Sequence, residues 1–556
     1  MLFLAIFFVC SVCVGNVCSG ASKSRLVNIE QGPIRGYKAP DEDHFVFYGI
    51  PYATAPTGTR RFQAPLPPPT WMTTFEAIDR GVICPQMVIP MFVSESKTMQ
   101  EDCLIANVYV PDTEERNLPV IVHVHGGAYM WGYGDLITPR NLVNHGNVIV
   151  VNFNYRLAAH GFLCLGTKDV PGNAAMKDQV SLLRWVKKNI ANFGGDPDNV
   201  SLTGFSAGAS AVDLLMISKT TKGLFNKVIP ESGANVAIFS IQRDPVESAK
   251  IYAKLLNFSD VNDFYALEEF YKKAPFELLT SINLFDKLDI PFLFVPCVER
   301  DTGVERFLED DPVHILESGD YQKLPMLYGF TTMEGLIRIN AFDILKNGMN
   351  EKFSDFLPGD LRFASDEEKE LVAAKVKEFY FGNKPVSESV LSYIDYYSDI
   401  TFTYAALRSI NLQVQAGNNQ IYLYEYAFEG GTSIVPTKIR GASHCAQTIA
   451  VLDELNATRS DESHLSEDYR SMKKITREIW LNFVRTGKPI PEGSSLPAWP
   501  PTGPDHYPYM VLDETFELKR SPLLRDRYLF WDEIYKQYYR YPIPPPTPPR
   551  KERTEL

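Results

Sequence analysis

The chain has 556 residues, a formal net charge of −13 and a pI near 5.3, with 45% hydrophobic and 22% charged residues. This balance permits a large buried core, and its negative surface would repel a phosphate backbone, so no nucleic-acid partner is expected. With no internal repeat and no interior linker, one large decorated α/β domain over 21–540 fits the length better than several domains.

The opening MLFLAIFFVCSVCVGNVCSG is one apolar run closed by small residues and too short to span a bilayer comfortably. It predicts a cleaved signal peptide over 1–20, with the cut near Ser19–Ala21 and an N-terminal anchor as the alternative. No later stretch is apolar enough to predict a membrane span, which makes secretion the expected route.

Arg25–Gly36 and His44–Ile50 alternate like strands and predict an opening antiparallel segment, followed by turn-rich, proline-rich chain through Pro65–Trp71. Eight cysteines are present, and loss of Cys10, Cys13 and Cys18 with the leader leaves Cys84, Cys103, Cys164, Cys297 and Cys445. In an oxidising compartment Cys84 and Cys103 are the best-placed pair, closing a surface loop for roughly 3 kcal/mol of stabilisation. The remaining number is odd, so at least one thiol is left without a partner in the chain; the fates of Cys164, Cys297 and Cys445 stay open.

Leu118–Val124 and Val148–Phe153 read as strands of the buried type, and Ala175–Asn189 as a helix; their alternation predicts a large, mostly parallel sheet flanked by helices. Val200–Thr203 then runs into Gly204-Phe205-Ser206-Ala207-Gly208 and a helical stretch, Ala211–Met216. Strand, G-x-S-x-G and helix together place a serine on a sharp turn with room for strand and helix to pass closely. Ser206 Oγ is thereby exposed, and the new helix aims its first N–H groups, including that of Ala207, at a reacting carbonyl oxygen.

Long blocks stand in a fixed order: GIPYA, RRF, EDCLIANVYVP, HVHGGAY, NYRL, LRWVKKNIANFGGDPDNVSLTGFSAGA and PESGA. On these the chain resembles the carboxylesterase and cholinesterase family of α/β-hydrolases, in the style of insect secreted esterases, from about Val27 to Trp531. The resemblance implies the α/β-hydrolase fold and a serine carboxylic-ester hydrolase.

A serine hydroxyl needs a base to take its proton and an acid to hold that base. Leu324–Phe330 predicts a strand with Thr331-Thr332-Met333-Glu334-Gly335 at its carboxyl end, and the family's acid maps onto Glu334, although Thr331 stands where an asparagine is usual. Beyond the predicted strand Ile421–Tyr426, Gly441-Ala442-Ser443-His444 matches the family's histidine block and makes His444, one of only nine histidines, the base. The following Cys445-Ala446-Gln447 lacks the acidic pair of many relatives. By resemblance the N–H groups of Gly127 and Ala128 join that of Ala207 in an oxyanion hole. Ala128 replaces a glycine of many relatives, implying less space there. The same likeness gives Ser232 a place beside the triad, pairs Glu101 with Arg156 in a buried ion pair, and puts Phe205 where glutamate is commonest.

The mechanism this implies uses an ester substrate and water, with no cofactor and no metal. A cholinesterase would want an aromatic face for its cationic substrate, often a tryptophan in the first disulfide loop; Cys84–Cys103 contains none. Uncharged esters with apolar groups are therefore expected: xenobiotic, odorant or pheromone esters, or a juvenile-hormone-like methyl ester. A non-catalytic adhesion or binding protein and a lipase are the alternatives. Asn257 and Asn456 are expected glycan sites, whereas Asn199 precedes a buried strand. The proline-rich tail over 541–556 is expected to be mobile, and its ending in Glu555-Leu556 makes retention in the ER lumen the alternative to secretion.

Overall fold

The computed structural model describes residues 23–549 apart from 41, 90–92, 94–95, 283–291, 432–437 and 456–459. The expected leader, Asn456 and the final Arg553-Thr554-Glu555-Leu556 lie outside the described residues.

The main sheet is built from β1 (Ser24–Ile29), β2 (Gly32–Lys38), β3 (His44–Pro51), β4 (Ile105–Pro111), β5 (Leu118–Val124), β6 (Ile149–Phe153), β7 (Gly195–Phe205), β8 (Lys227–Glu231), β9 (Met326–Thr331), β10 (Ile421–Tyr426), β11 (Tyr509–Leu512) and β12 (Glu517–Lys519). They lie in the order β1-β2-β3-β4-β6-β5-β7-β8-β9-β10-β11-β12, with Phe75–Glu76 added beside β2 as a thirteenth strand. From β6 to β11 every neighbouring pair is parallel; β1 to β4 and the far edge at β12 are antiparallel. The architecture is that of an α/β-hydrolase, a large mixed sheet whose parallel block occupies the middle.

The parallel strands read as continuous apolar runs because helices cover both of their faces. In β5, Val120, Val122 and Val124 enter one core while Ile121 enters the other, the two-residue period of a strand expressed on two buried sides. The helix Ala174–Asn189 packs one side through Ala175, Val180, Leu183 and Val186. On the opposite side lies Glu467–Thr486, started by Ser466, whose Oγ accepts the Tyr469 N–H, and stopped by Gly487 in the left-handed region.

Cys84 and Cys103 are bonded, as expected; a second disulfide joins Cys164 to Cys297, and Cys445 is a free, buried thiol. The expected Glu101–Arg156 ion pair is not formed. Arg156 instead donates to Asp178 (Nη2 to Oδ1 2.6 Å) and to the carbonyls of Arg61, Gln63 and Ala174, whereas Glu101 pairs with Arg61 at 2.7 Å. The reason is placement: Asp178 lies in the first turns of its helix, directly against the guanidinium, and Arg61 stands between Arg156 and Glu101. Of the tail expected over 541–556, residues 541–549 are described. Pro542 and Pro545 are buried, the Ile543 N–H donates to Arg243 O, and Tyr541 stacks on His314. Asn257 is exposed, and the half-buried Asn199 accepts from Lys227 Nζ at 2.6 Å. Among the described residues no helix is long and apolar enough to cross a membrane.

Candidate active site

Ser206 follows β7 directly and precedes the helix Ala207–Ile217, at φ 56° and ψ −124°, a region a non-glycine residue occupies only when its surroundings hold it there. The surroundings are the two glycines of the motif. A Cβ on Gly204 would lie 2.4 Å from Gly208 O, and one on Gly208 would lie 2.2 Å from Val124 O, so strand and helix pass too closely for any side chain. The turn is tied down by the Ser206 N–H donating to Glu231 O at 2.9 Å and by the Ser210 N–H returning to Ser206 O.

Glu334 opens the short 3-10 segment Glu334–Ala341 after β9 and is wholly buried. Its Oε1 accepts the Thr331 N–H at 2.8 Å and the Ser232 hydroxyl at 2.6 Å; its Oε2 is hydrogen-bonded to His444 Nδ1. Thr331 thus serves the turn through its backbone N–H, while its buried hydroxyl makes no hydrogen bond among the described residues. His444 reaches Glu334 because the loop after β10 runs beside it: the Met333 N–H donates to Ala442 O at 3.0 Å, and Met333 pairs in parallel with Ser443. Phe402 packs on the imidazole with ring centroids 4.2 Å apart.

The other ring nitrogen, His444 Nε2, is buried and makes no hydrogen bond among the described residues. The carboxylate half of the expected relay is therefore closed, while the hydroxyl half is open. Ser206 and His444 line the same cavity of about 1360 Å³, together with Gly127 and Ala128. Such contacts commonly tighten only when substrate is bound.

Gly127, Ala128 and Tyr129 all have positive φ, at 108°, 53° and 61°, which curls the segment after β5 over the serine turn. Among the described residues, the N–H groups of Gly127, Ala128 and Ala207 donate no hydrogen bond. Gln86, two residues beyond Cys84, holds the end of this curl from both sides, donating to Gly132 O at 3.0 Å and accepting the Gly132 N–H at 2.8 Å. The first disulfide loop thus supports the curl, a role that nothing in the local sequence announces.

Sequence reasoning placed Ser232 beside the acid but missed the polar layer behind it. Gln447 Nε2 donates to Ser232 Oγ at 2.7 Å, so the segment after His444 returns to the site without the acidic pair of many relatives. Glu231 receives hydrogen bonds from Thr448 and from the Trp480 indole, the latter at 2.7 Å, and burial pushes its carboxyl up to about 7. The signal was PESGA, which puts Glu231 next to Ser232. Phe205, buried, stacks on His123 at 5.8 Å and lines the cavity, so that wall is apolar. Burial lowers His123 to about 3 and His125 to about 4, keeping both rings neutral as packing groups, His125 against Tyr155.

Near Ser206 the cavity wall is largely aromatic and aliphatic, including Phe239, Phe292, Phe402 and Ile238. Among the described residues no group of three or more His, Cys, Asp or Glu is arranged to hold a metal ion.

A family model described as "Carboxylesterase family" matches residues 23–531. The chain is 32% identical over 551 residues to Esterase FE4 of Myzus persicae, covering 94% of this chain and 93% of that one. To Juvenile hormone esterase of Heliothis virescens it is 34% identical over 508 residues, covering 86% and 88%. Among solved structures, that of juvenile hormone esterase from Manduca sexta with OTFP covalently attached matches with a TM-score of 0.83 at 29% identity, over 92% of this chain and 100% of that one.

Proposed function

The chain belongs to the carboxylesterase family and is a carboxylic-ester hydrolase, and we propose that it cleaves its esters through an acyl-enzyme on Ser206. Ser206 Oγ attacks the ester carbonyl as His444 Nε2 takes its proton; the Glu334 carboxylate, bonded to Nδ1, fixes the tautomer and stabilises the imidazolium. The N–H groups of Gly127, Ala128 and Ala207 receive the negative charge on the carbonyl oxygen. His444 returns the proton to the leaving alcohol, and a water then repeats the sequence to release the acid.

The observation that carries this reading is the Glu334–His444 hydrogen bond at the wall of the cavity that Ser206 also lines. A relative captured with OTFP covalently attached supports a covalent step. The preferred substrates are esters that are uncharged and apolar around the reacting carbonyl, as the wall of Phe205, Phe239 and Phe402 suits. Secretion is part of the same proposal, favoured by two disulfides, which persist in an oxidising compartment.

A short p-nitrophenyl ester, assayed beside Ser206→Ala, tests the reading. Turnover that vanishes in the variant supports it. Equal rates with both proteins would return the chain to the adhesion or binding alternative.

A further inference from the structure

The cavity that Ser206 lines is not apolar throughout. Among the described residues its lining includes Arg338, Arg362, Lys369 and Arg540 against two carboxylates, Asp355 and Asp366. Lys369 and Asp355 are close enough to offset each other, at 4.0 Å, and Lys352 also reaches Asp355 at 2.9 Å. Among the described residues none of the three arginines forms an ion pair with a carboxylate. In a chain of net charge −13, three guanidinium groups along one cavity with no ion pair among the described residues are an exception to the surface as a whole.

Their mounting is ordered. Arg338 leaves the same 3-10 segment that Glu334 opens, its guanidinium lies over the Tyr397 ring at 5.1 Å, and its Nε is buried without a hydrogen-bond partner. The Arg362 N–H donates to Tyr538 O and the Arg540 N–H to Asp360 O, so the segment after Phe356 and the end of the last helix form one joined wall. Arg362 is exposed, and Arg338 and Arg540 are half-buried, as Ser206 itself is, whereas Phe239, Phe402 and His444 are buried, so solvent reaches the cationic part of the cavity at least as freely as it reaches the serine. Planar donors of this kind match a carboxylate better than any neutral group.

We propose that Arg338, Arg362 and Arg540 form a carboxylate-binding subsite in the substrate cavity, so that the preferred ester has an apolar body and a free carboxylate remote from the scissile bond. This rests on the esterase reading and refines the expectation of wholly uncharged esters to one that applies at the reacting end. For a monomethyl ester of a linear dicarboxylic acid, Ser206 Oγ bonds to the acyl carbon, the acyl–methoxy bond breaks and methoxide leaves as methanol with the proton from His444; water then adds its oxygen to the acyl carbon, the acyl–Ser206 bond breaks, and the diacid leaves.

The experiment compares monomethyl and dimethyl esters of one diacid, over a series of chain lengths, with the full chain. At the best length kcat/KM should favour the monoester by roughly tenfold, the discrimination expected of one charge-assisted contact. That ratio should fall towards one as sodium chloride rises from about 0.02 to about 0.5 M, because the cations are partly open to solvent. Arg338→Gln and Arg362→Gln should lower the ratio, whereas Arg184→Gln, on an exposed helix face where Arg184 pairs with Glu305, should leave it unchanged. A ratio at or below one at every length, or one indifferent to salt, overturns the subsite while the esterase reading stands. Calorimetric binding of the same two esters to Ser206→Ala separates the two ideas from the other side. Tighter binding of the monoester supports the subsite even if the unmutated protein hydrolyses neither ester, and equal or weaker binding overturns it.

Discussion

The indole of Trp480 donates to the buried carboxyl of Glu231 at 2.7 Å, and the backbone carbonyl of that same Glu231 takes the amide proton of Ser206 at 2.9 Å. A helix far along the chain thus reaches the serine turn through one residue. Burial raises the Glu231 carboxyl from 4.5 to about 7. A carboxyl with a higher pKa in the folded state keeps its proton on folding between those two values. Its favourable contribution is therefore complete below about 4.5 and lost as pH rises through about 7. Glu231→Gln removes the titration. Its Tm, relative to that of the unmutated protein, should rise by a few degrees between about pH 5 and about pH 8, and a gap constant with pH would contradict the assignment.

Glu334→Gln keeps the size of the side chain but presents an amide to His444 Nδ1 and disturbs the tautomer. The expected loss in kcat is on the order of 10³- to 10⁴-fold, with a smaller change in KM. Steady-state kinetics with a p-nitrophenyl ester, together with an unchanged far-ultraviolet circular dichroism spectrum, checks this.

Ser232 stands between Gln447 and Glu334, donating to the carboxylate at 2.6 Å. Ser232→Ala deletes that donor and frees the Gln447 amide, so the carboxylate is held less firmly. Activity should fall about tenfold, mainly in kcat, as suits the loss of one hydrogen bond to a charged group. A decrease confined to KM would place Ser232 outside the acid's support.

Ala128 holds its positive φ with a methyl group at the oxyanion curl. Esters of tertiary alcohols should be poor substrates, and Ala128→Gly should improve their turnover relative to primary esters by relieving both crowding and backbone strain. Efficient cleavage of a tert-butyl ester by the unmutated protein would discard the steric argument.

The Arg156–Asp178 pair is buried and supported by further hydrogen bonds from the guanidinium. Asp178→Asn leaves that cation without its counter-charge and should cost about 3–5 kcal/mol of stability. Glu101→Gln, acting on a different arginine, should cost clearly less. Denaturant midpoints of the two variants decide the ranking.

Sequence alone determined the elements whose pattern is local. The apolar runs of β5 and β10, the helix Ala174–Asn189 and the G-x-S-x-G turn are legible because buried strands, helix faces and tight turns each demand particular residue types at short spacing. The family blocks supplied Glu334 and His444, and the fold brought those two into a hydrogen bond. Pairings over long separations were decided by tertiary structure. Arg156 chose Asp178 over Glu101, Cys164 found Cys297, Trp480 reached Glu231, and Pro542 and Pro545 settled against the body. None of these partners is fixed by periodicity, because a hydrogen bond, an ion pair or a disulfide depends on which surfaces the packed sheet and helices bring within a few ångströms. The same holds for Arg362 and Arg540 of the cavity wall, far apart in sequence and joined where the end of the helix Arg525–Tyr538 hydrogen-bonds to the segment after Phe356.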